Sequence, residues 1–430
     1  GEELRLRTAA VPPRPRPPRP VPQMQRVVLD NGLRILLEPD DGDVVALRMV
    51  GLGGALLESP AQAGISTAWS RMLLRGAAGF DALQFATEVE KLGGNLGTPG
   101  GRSSQGIKLD LPSAMLNGGL EILEWILYDA SFFPSELERT QQESLQAIKE
   151  AKDHPDAVLS DAIWSLCCPG HPSSLPPMGT PASVGHWTIP GLRRLHRRWM
   201  QGSNLVLTLT GGFDPASVLP RLRRLLGRIP PSSSPISYAS PSFPSQTRRR
   251  TLRCGREQAQ LAVAFPGVAV QDPDQPAVET LATVLGGQGG RLFLELREQH
   301  GLAYSVGATS AEGVVPGLLS CSLGTDPDRI DEAEQRLMES LRRVREEAIP
   351  EQERLRAIAY LEGAARSDQQ SAGSRAGAAT YAELYGLDGV DYRRLARRVA
   401  QVDGAALRRA AERLSLPLAV VRVLPVETTK

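Results

Sequence analysis

One order of signals occurs twice in these 430 residues, about 214 positions apart, and this repetition limits the fold more than composition does. In the first half an alternating stretch, GIKLDLP at 106–112, precedes a helical pattern with Leu116, Leu120, Leu123 and Leu127 on one face. Pro134 breaks that pattern, and a second helical run follows through ELERTQQESLQAIKEA. In the second half GLLSCSLGTDP at 317–327 precedes a pattern with Ile330, Ala333, Leu337, Leu341 and Val344, then Pro350 and the run EQERLRAIAYLEG. Each half closes on a β-rich run, NLVLTLTG at 204–211 and LAVVRVLP at 418–425. The repeat predicts an α+β fold of two homologous domains, each a mostly antiparallel sheet covered by helices on one face.

Between the halves, PPSSSPISYASPSFPSQ at 230–246 replaces every periodic pattern with Pro and Ser, which marks a linker between a domain at 25–229 and one at 247–428. Residues 1–24 hold seven prolines and five arginines and read as an extended, polyproline-like arm, a solvated tether or, alternatively, an SH3-type ligand. The chain begins with Gly, which reads as a processed or trimmed start, and no apolar run reaches the length of a spanning helix. A net charge of +1 gives no field to gather nucleic acid or an anionic membrane. Four cysteines, with no C-x-x-C pair, form neither a disulfide framework nor a zinc knuckle. Adjacent Cys167 and Cys168 read as buried free thiols, with a redox pair as the alternative.

The stretch LGGQGGRLFLELREQHGLAYSV at 285–306 carries the most chemistry in the second half. Gly286, Gly287, Gly289 and Gly290 lack the Lys and the spacing of a phosphate cradle and read as a flexible turn. The helical run RLFLELREQ should end at Gly301 and give way to a strand, AYSVGAT. Arg297 offers planar donors for carbonyl oxygens and Tyr304 an amphipathic ring with a hydroxyl, a pair suited to holding a peptide backbone.

The run G-G-x-x-x-R-L-x-x-x-L-R-E-x-x-G-L-A-Y-S-V, the Pro/Ser linker and the duplicated α+β unit resemble the insulinase/pitrilysin superfamily of zinc peptidases. The closer likeness is to its small bacterial branch, in which two chains pair as in the mitochondrial processing peptidase. Catalytic members carry G-x-x-H-x-x-E-H-M-L-x-x-G on a helix, with a distant Glu about 76 residues on. Here the frame Gly64-Ile65-Ser66-Thr67-Ala68-Trp69-Ser70-Arg71-Met72-Leu73-Leu74-Arg75-Gly76 has Thr67 and Arg71 at the histidine positions, Ser70 at the base and Ala147 at the distant Glu. None of these supplies an imidazole or a carboxylate, so no metal is expected on this chain. Nor do the five histidines contain an i, i+4 pair, and His171 and His196 read as loop and surface residues.

By this resemblance the chain is a clamshell half, silent alone, that pairs with a homologous subunit bearing H-x-x-E-H and zinc to cut or process unfolded peptides. Arg297 and Tyr304 would orient the substrate, and Gly286, Gly287, Gly289 and Gly290 would shape the entrance. Asn95 and Thr98 stand at the family's substrate edge strand, where added glycines weaken the expectation of a strand. A scaffold of the respiratory core-protein type and a homodimeric peptide-binding chaperone are the alternatives. The arm and the Gly start suit a bacterial periplasmic or envelope protein, with the cytoplasm as the alternative.

Overall fold

The computed structural model describes residues 23–232, 235–255 and 258–426, so nearly all of the arm at 1–24 lies outside the described residues. The first half contains β1 (Gln25–Val28), β2 (Arg34–Asp40), β3 (Val44–Leu52), β4 (Asn95–Gly97), β5 (Ser104–Pro112) and β6 (Leu205–Gly212). Its helices are α1 (Ile65–Met72), α2 (Ala82–Lys91), α3 (Leu116–Tyr128), α4 (Pro134–Ala151), α5 (Pro155–Cys167), α6 (Pro181–Val184), α7 (Ile189–Trp199) and α8 (Pro215–Leu226). The second half contains β7 (Arg248–Cys254), β8 (Ala259–Pro266), β9 (Ser305–Ala311), β10 (Leu318–Thr325) and β11 (Ala419–Pro425). Its helices are α9 (Gln275–Leu285), α10 (Ile330–Glu346), α11 (Glu351–Asp368), α12 (Ala372–Leu384), α13 (Arg394–Ala400) and α14 (Gly404–Ala411).

The strand orders are β1-β2-β6-β3-β5-β4 and β7-β11-β8-β10-β9, so each half repeats one topology and the first adds β1 at its edge. Equivalent strands begin at 34 and 248, 44 and 259, 104 and 318, and 205 and 419. Each sheet has one parallel pair, β2 with β6 and β7 with β11, and is otherwise antiparallel. Strand β7 leaves Arg248, Arg249 and Arg250 exposed, and charges on an edge strand discourage pairing with another chain.

Side chains alternate across the strands, and both faces are buried. Ile35, Leu37, Leu47, Met49, Leu207 and Leu209 join α1, α3, α7 and α8 in the core of the first half. On the opposite face Leu36, Val50 and Val206 meet Ala379 and Leu384 of α12, a helix from the second half. The second sheet repeats this arrangement: Ala262, Ala264, Ala419, Val421 and Val423 meet Leu159, Ala162, Ile163 and Leu166 of α5, a helix from the first half. Helices α5 and α12 each follow a helical hairpin, begin at 155 and 372, and are equivalent copies exchanged between the halves. Each sheet therefore has its own helices on one face, as expected, and one reciprocal helix on the other.

Polar pins fix this exchange. Glu38 of β2, with no solvent exposure, is held by Arg375 Nε and Arg393 Nη2, each at 3.0 Å, and receives a hydrogen bond from Tyr392 Oη at 3.2 Å. Arg375 also pairs with Asp40. Two threonines buried on the outer face of β6 complete the seam: Thr380 Oγ1 donates to Thr208 Oγ1 and Thr210 Oγ1 to the Ala372 carbonyl, both at 2.7 Å.

Candidate functional site

Helix α1 carries the frame read from residues 64–76. It opens at Gly64, whose φ of +83° and whose approach to the backbone of Met178 and Gly179 exclude a side chain. Its N-terminus is capped by the buried Glu58, whose carboxylate accepts from the N–H of Gly64 at 2.7 Å and of Ser66 at 2.8 Å. Burial without a neighbouring cation pushes the Glu58 carboxyl above its ordinary range, against these hydrogen bonds. Ile65, Ala68, Trp69 and Met72, at i, i+3, i+4 and i+7, are buried in the core.

Hydrogen bonds close the other face. Thr67 Oγ1 donates to the Pro177 carbonyl at 2.6 Å, and Arg71 Nη1 donates at 3.0 Å to the buried Ser144 Oγ of α4, one turn before Ala147. The positions that hold zinc in the resemblance therefore carry a hydroxyl, a guanidinium and a methyl group, and this donor set does not fit zinc. Among the described residues no three His, Cys, Asp or Glu side chains come together as a metal site.

His196 is a correction to the expectation of a surface residue. It falls on the stripe Leu192, His196, Trp199 of α7 and is 9% exposed. Its Nδ1 accepts from Trp69 Nε1 at 3.3 Å and its Nε2 donates to the Leu127 carbonyl at 2.9 Å. Burial lowers its pKa, so it serves the core as a neutral ring. His171 is a loop residue that donates to the Ala239 carbonyl of the linker at 2.9 Å and accepts from the Ser173 N–H. The linker is fixed further by Tyr238, whose hydroxyl reaches the carbonyls of Gly53 and Ser103 at 2.9 and 2.8 Å.

The second half brings Arg297 and Tyr304 together. The run from Phe293 to Gln299 is a wide, π-type helical turn, with His300 N–H bonded to the Glu295 carbonyl, and it ends at Gly301 with φ +57°. Arg297 Nη1 donates to the Tyr304 carbonyl at 3.0 Å, and its guanidinium lies 5.1 Å from the centroid of the Phe293 ring. The Tyr304 N–H is tied to the Gly324 carbonyl, while its side chain stays 57% exposed just before β9. Arg297 thus reaches the backbone of Tyr304, and both side chains remain open to solvent on a backbone fixed by the sheet.

Three of the four candidate glycines are required by the packing of their own turn. A Cβ on Gly286 would lie 2.8 Å from the Ala308 nitrogen of β9, Gly287 has φ +75°, and a Cβ on Gly290 would lie 1.8 Å from the Gly286 carbonyl oxygen. Gly289 faces only the Arg356 side chain. The edge strand that added glycines weaken survives as the three residues of β4, with Asn95 inside it and Thr98 beyond its end. Cys167 and Cys168 are buried free thiols in the seam around α5, and burial raises them to about 12 and about 11, which keeps them protonated and inert.

Sequence reasoning missed a cavity of about 320 Å³ beside α1, lined by Glu58, Ser66, Thr67, Ser70, Thr98 and Gln105 among others. Thr67, Ser70 and Thr98 of this lining stand among the candidate positions above, and Glu58, a lone acid just after the apolar Ala55–Leu57, is the readable addition.

Fold and site define a duplicated peptidase fold that keeps the metal-bearing helix without its ligands. The family description "Insulinase (Peptidase family M16)" matches residues 34–180, and "Peptidase M16 inactive domain" matches 186–361. The chain belongs to the insulinase, or M16, family. It is similar to an uncharacterized zinc protease of Bacillus subtilis, at 23% identity over 82% of this chain and 86% of that one. A probable mitochondrial-processing peptidase subunit beta of Arabidopsis thaliana is 23% identical over 62% of this chain and 51% of its own length. The fold matches a crystal structure of a peptidase M16 inactive domain from Pseudomonas fluorescens, with TM-score 0.87 and 20% identity over 95% of this chain and 99% of that one. It also matches a Helicobacter pylori protease, with TM-score 0.85 and 17% identity over 94% and 100% of the two chains.

Proposed function

We propose that this chain is the non-catalytic, substrate-binding subunit of a two-chain zinc peptidase whose metal and general base lie on a homologous partner with H-x-x-E-H. One contrast carries the reading. The metal-site positions Thr67 and Arg71 are committed to Pro177 and Ser144, whereas Arg297 and Tyr304 are adjacent and open to solvent. In this reading the guanidinium and phenol orient an unfolded peptide toward the partner's zinc, and the turn at 286–290 shapes the entrance. The chain supplies one wall of the chamber and no proton transfer or nucleophile of its own.

The test is to co-express the chain with an H-x-x-E-H homologue from the same genome, then measure zinc content and cleavage of an unstructured peptide by the pair and by each chain alone. The pair should carry one zinc and cut, and this chain alone should do neither. Arg297→Ala should leave assembly intact and lower kcat/KM of the pair by roughly 10- to 100-fold, the loss of a charge-assisted hydrogen bond. A partner that cuts equally well alone would replace this reading with a scaffold or chaperone.

A further inference from the structure

Buried polar groups in folded chains are almost always paired, and the exceptions mark places built to receive something else. Among the described residues three buried side-chain atoms lack a hydrogen-bond partner: Ser66 Oγ, Gln105 Nε2 and Gln275 Oε1. Two of the three residues, Ser66 and Gln105, line the same cavity beside α1. Gln105 is 1% exposed; its Oε1 accepts from the Gly54 N–H at 3.2 Å, which fixes the amide and leaves both Nε2 hydrogens without an acceptor. Ser66 lies close enough to Glu58 to act on its charge, yet its hydroxyl makes no hydrogen bond of standard geometry.

The lining selects a ligand chemistry. Gln105 Nε2 is a donor seeking a carbonyl oxygen, and Ser66, Ser70 and Thr98 add hydroxyls that accept as readily as they donate. Arg102, the cation in the wall, is anchored to backbone: Nη1 holds the carbonyls of Ser173 at 2.6 Å and Leu175 at 3.2 Å, and the guanidinium stacks on Trp164 at 4.3 Å. Glu58 adds a buried carboxylate with no paired cation, which disfavours a second anion beside it. Gly100 and Gly101 form an exposed rim without side chains. About 320 Å³ holds on the order of ten waters, or one uncharged polar side chain with the peptide unit that carries it.

We propose that this cavity is a side-chain pocket for a neutral, amide-bearing residue of a bound peptide, with the ligand's carbonyl oxygen on Gln105 Nε2 and its NH₂ on the serine and threonine hydroxyls. The proposal rests on the peptide-binding reading above and adds an anchor on the first half, apart from Arg297. The remodelled metal helix then has a selective use: Thr67 and Ser70 face the space, while Arg71 is tied back to Ser144.

The experiment titrates the purified full chain with acetyl-Ala-Gln-Ala-amide and acetyl-Ala-Glu-Ala-amide by calorimetry. Saturable binding of the glutamine peptide, with the glutamate peptide at least tenfold weaker, is expected. Ser70→Leu fills the cavity, and Gln105→Glu keeps the acceptor for Gly54 while removing the donor; each should weaken the glutamine peptide at least tenfold at unchanged far-UV circular dichroism. Equal affinity for the two peptides, or an unchanged Kd in Ser70→Leu, overturns the pocket. Binding that survives Ser70→Leu but is lost in Arg297→Ala overturns the pocket while leaving the peptide-binding reading in place. No saturable binding by either peptide, with Arg297→Ala also silent in the paired cleavage assay, removes both.

Discussion

Arg71 occupies a position where the family resemblance requires a metal ligand, and its guanidinium supports a buried serine across the α1–α4 seam instead. Arg71→Ala should destabilise the chain by about 1–2 kcal/mol, because Ser144 Oγ loses its donor, and denaturant unfolding reads the change directly. Glu312, at the end of β9, gives a second residue-scale expectation. Burial, reinforced by the charge of Glu279, raises its carboxyl from an ordinary 4.5 to about 7, against the opposing effects of Ser310, Gln275 and Arg398. Its folded value exceeds its unfolded one, so its contribution is complete below about pH 4.5 and is lost as pH rises through 7. Glu312→Gln should remove a decline on the order of 2 kcal/mol across that window, seen as a flatter profile of unfolding free energy against pH. At this scale the loss of ligands at 67, 70, 71 and 147 was legible, because residue type alone decides what can bind a metal. The burial of Glu58, His196 and Gln105 was not, since it depends on segments distant in sequence. His196 left a trace in its place on the stripe with Leu192 and Trp199, and Glu58 in its place just after the apolar Ala55–Leu57, whereas Gln105 left none.

The strands and helical hairpins could be read from periodicity. NLVLTLTG became the inner strand β6, buried on both faces, and Pro134 took the first position of α4, where its missing N–H costs nothing. The destination of α5 and α12 could not be read. An apolar stripe says that a helix needs a sheet, and two equivalent sheets were available. The pins across the seam decide how firmly the choice is held. Glu38→Ala leaves Arg375 and Arg393 without their fully buried partner and should cost about 3–5 kcal/mol, whereas Asp40→Ala, at the solvent edge of the same network, should cost less. Hydrogen exchange followed alongside should show α12 losing protection before β6. Equal protection of both, up to global unfolding, would mean that the pins do not govern the docking of this helix.

Across the whole molecule the duplication gives two sheets of like topology, and the exchange makes each half incomplete alone. The first sheet without α12 would expose Leu36, Val50 and Val206, and the second without α5 would expose Ala262, Val421 and Val423. Either half expressed alone should therefore aggregate or pair with itself. The two halves co-expressed as separate chains, cut within 230–246, should co-purify as one particle with the melting behaviour of the intact chain. Two stable, independent halves would contradict this account.

The exchanged helices also restrict recombination. A chimera that joins the first half of this chain to the second half of a relative must match two helix–sheet seams at once, α12 on the first sheet and α5 on the second. The Glu38 network and the threonine pins lie in one seam and the cysteine-lined packing of α5 in the other. Crossover at the linker, the boundary that looks most permissive in sequence, therefore parts both seams at once. Among relatives, the halves should be inherited as matched sets.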